Sequence, residues 1–123
     1  MYDYNAVITN VIDGDTYDVD IDLGFHIHIH ERIRILSLDT PECRGPEKEY
    51  GKLCKAYAEK YFLNKKVHLY SDSEVKGPQT DSFGRWLCYI YVREYNDNIM
   101  NIFTSLGCNK YWDSYSEYNV EKL

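Results

Sequence analysis

Three short clusters hold the residues whose types and spacing could do chemistry. They are Ile12-Asp13-Gly14-Asp15-Thr16, then Arg34 followed five residues on by Asp39-Thr40-Pro41-Glu42, then Thr80-Asp81-Ser82-Phe83-Gly84-Arg85. Each has a plain structural reading when taken alone. Asp-Gly-Asp is ordinary turn chemistry, Asp-Thr-Pro-Glu is a helix start with Thr40 as cap and Pro41 first, and Gly-Arg after a loop says almost nothing. The joint pattern is more specific. Asp15 and Asp39 fall at the ends of expected strands, where they could converge, and Glu42 lies just beyond Asp39. Arg34 and Arg85 lie on strands expected to be neighbours. That inventory suits hydrolysis of a phosphodiester. The reaction needs a hard cation on a phosphate oxygen, and oxygen ligands suit Ca2+ or Mg2+. It needs positive charge where the five-coordinate phosphorus gathers negative charge, and a guanidinium grips two oxygens in a fixed fork without deprotonating. It also needs a carboxylate to orient or deprotonate water.

Those clusters require a scaffold that brings them together. Residues 5–12 read as a strand ending at Asp13-Gly14, and residues 16–23 alternate cleanly. Tyr17, Val19, Ile21 and Leu23 take one face of that second strand, and Asp18, Asp20 and Asp22 take the other. A long third strand is expected over 25–38, with Phe25, Ile27, Ile29, Ile33 and Ile35 on one face and the histidines and arginines opposite. Residues 41–50 carry two prolines and a glycine and read as a loop. Residues 51–64 show a helical stripe of Leu53, Cys54, Tyr57, Ala58 and Tyr61. Strands follow over 67–71 and 86–93, separated by a polar loop over 72–84. A short helix closes the pattern, with Ile99, Ile102, Phe103 and Leu106 inward and Gly107 as its stop. Five short strands with a helix between the third and fourth fit an α+β fold: a five-stranded Greek-key barrel of the oligonucleotide-binding (OB) type with two to three helices.

Composition narrows the classes. A chain of 123 residues is read as one domain, 1–123, and with 44% apolar residues it can build a packed core. The formal net charge of −6 argues against a protein that coats nucleic acid by bulk positive charge, but not against an enzyme touching a few phosphates. No stretch approaches the roughly 20 apolar residues of a membrane span. MYDYNAVITN lacks a basic start followed by an apolar run, so it is not a secretory signal. The chain is therefore expected to stay inside the cell that makes it, as a cytoplasmic or virus-encoded protein. Cys43, Cys54, Cys88 and Cys108 are widely spaced without a C-x-x-C pair, which suits idle thiols better than a zinc finger.

IDGDT, R-x4-DTPE and TD-x-FGR, in this order, resemble the staphylococcal nuclease (thermonuclease) family. The resemblance runs from about Val7 to Gly107. It implies the barrel just described and a calcium-dependent endonuclease that cuts DNA and RNA, leaves 3′-phosphate ends, and is expected to act as a monomer. By position, Asp15 and Asp39 resemble the side-chain ligands of one Ca2+, with Thr40 giving its backbone carbonyl. Asp13 resembles a nearby acid outside the ligand set. Glu42 resembles the general base or water-positioning residue, and Arg34 and Arg85 resemble the pair on the scissile phosphate. Where the best-known member of that family has a lysine and a tyrosine on a nucleotide phosphate, this chain has Ser82 and Phe83, so Phe83 keeps the ring and loses the hydroxyl. Tyr115 falls near a base-stacking tyrosine of the family. Substrate binding is expected to be weaker or altered, with the chemistry intact. The alternative is a non-catalytic barrel that binds nucleic acid or protein.

Two other patterns invite metal readings. His26, His28 and His30 alternate on one strand, with Arg32 and Arg34 in the same register. Same-side Cα atoms lie roughly 6.6 to 6.8 Å apart, so three rings converging on one ion from a regular strand would be strained. The bland reading is a polar strand face whose last arginine reaches the acidic cluster. A rival is a metal-binding or regulatory protein built on those histidines. Asp18-x-Asp20-x-Asp22 starts like an EF-hand, but Leu23 and Ile29 stand where glycine and glutamate are required.

Overall fold

A computed structural model describes residues 3–71 and 79–111. Its ladder comprises β1 (Asp3–Asp13), β2 (Thr16–Asp22), β3 (His28–Ile35), β4 (Lys66–Tyr70), β5 (Gln79–Thr80), β6 (Trp86–Val92) and β7 (Asp97–Asn98). Helix α1 (Lys48–Tyr61) lies between β3 and β4, and α2 (Ile99–Ser105) follows β7. Around the barrel, β3 pairs β2, β2 pairs β1, β1 pairs β4 and β4 pairs β6, all antiparallel. A parallel pairing of Ile33, Arg34 and Ile35 with Trp86, Leu87 and Cys88 closes the ring. The five-stranded barrel with two helices is therefore present. β5 and β7 are two-residue ribbons on β6, too short to show a period in sequence.

The alternation of β2 decides which side is inside. Tyr17, Val19 and Ile21 are buried, while Asp18, Asp20 and Asp22 point outward. Register shifts in β1 between Ile8 and Asn10 and between Val11 and Asp13 curl the first ribbon towards closure. Helix α1 caps the barrel with Cys54 and Ala58, and Phe62 follows into the core. Phe62 meets Tyr17 edge-on at 6.4 Å and Phe103 of α2 at 6.0 Å. α2 begins at Asn98, whose side chain accepts from the Asn101 amide. It ends in a left-handed Gly107 whose amide donates to Thr104 while that of Cys108 donates to Phe103. That pattern is the glycine stop expected from the sequence.

Several expected boundaries differ. The third strand begins at His28 rather than residue 25, because Gly24, Phe25 and His26 all adopt left-handed φ. A strand cannot run through such a turn, so Leu23, Phe25 and Ile27 end up exposed instead of inward. The strand ends at Ile35, and Ser37 turns the chain with a φ of 58°. Helix α1 starts at Lys48 and stops at Tyr61; Leu53, expected in its apolar stripe, is exposed. Asp39-Thr40-Pro41 does not start a helix.

His26 sits in the turn, His28 pairs with Asp20 at 3.1 Å, and His30 is exposed. Among the described residues, no three His, Cys, Asp or Glu side chains are gathered closely enough to enclose a metal ion. Cys54, Cys88 and Cys108 are buried thiols. No helix of the described residues is long and apolar enough to cross a membrane.

Candidate active site

Strand ends build the site. The turn from β1 to β2 puts Asp15 immediately before Thr16, which pairs with Arg34 across the β2–β3 ladder. The Ile35 amide donates to the Asp15 carbonyl at 2.9 Å, which locks that turn to the end of β3. Closure of the ring then sets β6, with Arg85 at its entrance, beside β3. The result is one polar cleft of about 490 Å³. Asp13, Asp15, Arg34, Asp39, Thr40, Glu42 and Arg85 all line it, so seven of the residues singled out in sequence meet in one place. Phe83 does not line that cleft. It borders an adjoining groove that also includes Arg85, is 82% exposed, and lies with its ring 5.2 Å from the Arg85 guanidinium carbon. Tyr115 lies outside the described residues.

Asp15 is 8% exposed. Burial raises its carboxyl above the ordinary range, against the opposing pull of Arg34, the Thr16 hydroxyl and the Thr40 amide. The hydrogen bonds from Thr16 and Thr40 measure 3.0 and 3.1 Å. Arg34 Nη2 stands 3.4 Å from Asp15 Oδ2 and 3.7 Å from Asp39 Oδ1, so the two carboxylates face a common point that a cation already occupies. Arg34 Nη1 donates to the carbonyls of Leu38 and Ile35, which fixes the fork. An acid pair facing one positive group, with Thr40 lining the same cleft, is a hard-oxygen donor set. It fits a divalent ion that keeps much of its shell as water or phosphate.

Arg85 is set by Asp81, a member of the third cluster that carries no role in the sequence reading. Asp81 Oδ2 accepts from Arg85 Nε at 2.6 Å, and Oδ1 accepts from the Arg85 and Phe83 amides at 3.0 and 2.9 Å. Burial pushes the Asp81 carboxyl up, but those three donors and the guanidinium charge outweigh it and hold it below its usual value.

Two glycines work by close approach. A Cβ at Gly14 would lie 2.7 Å from Thr40 Oγ1, so the bare turn lets Thr40 seat against it. A Cβ at Gly51 of α1 would press into the Glu42 carbonyl and lie 2.6 Å from the Cys43 amide. Glu42 is thus held where the helix can touch its backbone, and its amide donates to Glu47 Oε2 at 3.2 Å. Nothing in the residue pattern distinguishes these glycines from turn glycines. Arg44 and Lys55 also line the cleft, and sequence reasoning gave them no part. Cys43 lines it too, and burial followed by the nearby Asp13 pushes its thiol up to about 12, away from the thiolate form that a nucleophile needs.

Comparison with known proteins gives the same direction. Residues 32–122 match the staphylococcal nuclease homologue family. A thermonuclease of Staphylococcus intermedius is 30% identical over 117 residues, covering 93% of this chain and 64% of that protein. An uncharacterized protein of Methanocaldococcus jannaschii is 31% identical, covering 80% of this chain and 53% of its own length. One of Bacillus anthracis is 29% identical, covering 85% and 46%. The chain spans less than two thirds of the length of these relatives.

Proposed function

The chain belongs to the staphylococcal nuclease family, and from that premise we propose that it is a calcium-dependent endonuclease cutting DNA and RNA to leave 3′-phosphate ends. The observation that carries the proposal is the convergence of two carboxylates, two guanidinium groups and a third carboxylate on one polar cleft. Asp15, Asp39 and the Thr40 carbonyl would hold one Ca2+, which when bound supplies positive charge to a phosphate oxygen. Asp13 stays outside that set and adds negative charge beside it.

The chain's own residues do the rest. Arg34 and Arg85 contact the phosphate, and each guanidinium can grip two of its oxygens in a fixed fork. Arg85 is anchored by Asp81 before substrate arrives. Arg34 is tied through Nη1 to the Leu38 and Ile35 carbonyls, while its Nη2 leaves the Asp15–Asp39 pair for the phosphate when the ion binds. Glu42 is exposed at the cleft and takes or orients the proton of an attacking water. Phe83 offers an exposed ring on which a nucleobase can stack next to Arg85. Tyr115 is proposed as a second stacking ring on the family resemblance alone.

The experiment is cleavage of single-stranded DNA, duplex DNA and RNA by purified protein, with millimolar Ca2+, with Mg2+ and with EDTA. Calcium-dependent cutting that disappears in Glu42→Gln is the expected result. A folded protein that binds DNA and cuts in no metal would instead support a non-catalytic binding barrel. The Ser82 and Phe83 substitutions would then be its first clue.

A further inference from the structure

The geometry points to Asn109 as a positioning residue for Asp39, an inference that rests on the role proposed above for that carboxylate. Asn109 is fully buried, with 0% exposure, just beyond α2. A carboxamide has two acceptor sites on oxygen and two donor hydrogens on nitrogen, and here all four are used. Oδ1 accepts from the Asp39 amide at 3.1 Å and from the Tyr111 amide at 3.2 Å. Nδ2 donates to the Ser37 carbonyl at 2.9 Å and to Thr104 Oγ1 at 2.9 Å. The next residue reinforces the grip, because the Lys110 amide donates to the Asp39 carbonyl at 2.9 Å.

The segment being held needs holding. Ser37 sits at a φ of 58°, a left-handed conformation that a serine adopts only at some cost, and Asn109 bonds its carbonyl directly. Ser37 and Asp39 flank Leu38, whose carbonyl receives Arg34. One buried side chain therefore fixes both ends of the three-residue bend that presents Asp39 and anchors Arg34. A second support is Lys110 Nζ, which meets Glu47 Oε2 at 2.5 Å, the oxygen that also accepts the Glu42 amide. Asn109 and Lys110 together hold the Asp39 bend and the Glu42 loop against the end of α2.

The test compares Asn109→Ala, Thr104→Val and Asn98→Ala. The last weakens the start of the same helix without touching the Asp39 bend, and so controls for general destabilisation. Thr104→Val removes one partner of the carboxamide and keeps the test alive should Asn109→Ala fail to fold. Two readouts are taken. Exchange of the Asp39 amide with solvent in metal-free protein reads the clamp itself, whatever the protein catalyses. Ca2+ affinity by calorimetry reads its consequence. Expected is faster Asp39 exchange in Asn109→Ala, a smaller increase in Thr104→Val, and none beyond the global change in Asn98→Ala. Ca2+ affinity in Asn109→Ala should fall roughly 10- to 100-fold, the usual range for losing a partner of a metal ligand. Unchanged Asp39 exchange in Asn109→Ala and Thr104→Val overturns the inference. So does an equal loss in Asn98→Ala. A parent protein that binds no Ca2+ while showing the expected exchange pattern would count against the proposed activity and leave the clamp standing.

Discussion

Asp15 shows the cost of building a site from buried acids. Because burial raises its carboxyl in the folded state, the native protein binds that proton more tightly than the unfolded chain. The metal-free fold therefore gains stability as pH falls through the raised pKa towards the ordinary 3.8, and loses it as pH rises. Asp15→Asn removes the penalty, and its amide can still accept from Thr40 and donate to the Thr16 oxygen. Metal-free Asp15→Asn should melt higher than the parent at pH 7, with the gap closing below the ordinary carboxyl range, and should lose Ca2+ binding. Melting curves with and without metal at several pH values check this. Arg34, Arg85 and Glu42 are predicted to matter through rate. Losing one such preorganised contact costs about 10²- to 10³-fold. Arg34→Ala, Arg85→Ala and Glu42→Gln should each show at least that drop in kcat while remaining folded; near-normal rates in all three would sink the assignment.

Elements act on the site through the closeness of their backbones. Helix α1 touches the Glu42–Cys43 peptide through Gly51, and a Cβ there collides with main-chain atoms that have no rotamer to change. Gly51→Ala should therefore push helix and loop apart, destabilising by about 1–3 kcal/mol as overpacking does. Its loss of activity should be larger than that stability change explains, since a misplacement of about 1 Å can cost 10²-fold. Gly14→Ala makes a gentler comparison. Its Cβ meets the Thr40 side chain, whose Oγ1 is buried without a hydrogen-bond partner among the described residues and so has none of these to lose by rotating. The two alanine variants, compared for kcat and denaturation midpoint, should rank Gly51→Ala as the more damaging in both.

For the whole molecule, charge distribution outweighs charge total. The chain carries −6, and its cleft sets Arg34, Arg44, Lys55 and Arg85 against Asp13, Asp15, Asp39 and Glu42. A substrate engaging about two to four of these should show a shallow salt dependence. Single strands give a slope of roughly −0.7 per phosphate neutralised, so log K against log salt should fall with a slope of about −1.4 to −2.8. Binding of an oligonucleotide to Glu42→Gln across a salt series measures it. A much steeper slope would mean that cations beyond the cleft take part. The parallel β3–β6 pairing belongs to this scale too, since it brings the Arg34 and Arg85 strands together. Ile33 packs at that seam with 1% exposure, and Ile33→Ala should cost about 2–5 kcal/mol by denaturant titration.

The sequence by itself determined what depends on local period and on residue type. The alternation of β2, the glycine stop of α2 and the three clusters could be read directly, because side-chain direction in a strand and φ preference at a stop are set within a few residues. It misplaced the start of β3, because consecutive left-handed residues at Phe25 and His26 leave no mark on an alternating pattern. Only the tertiary structure decided which supports hold the clusters. Asn109 bonds Asp39 across 70 residues, and Gly51 matters because of what the fold presses against it. Asp81 turns from a loop acid into the anchor of Arg85 once the loop has closed on itself. Chemistry is written in residue types, but the distances at which it works are fixed by contacts between segments that the chain order keeps apart.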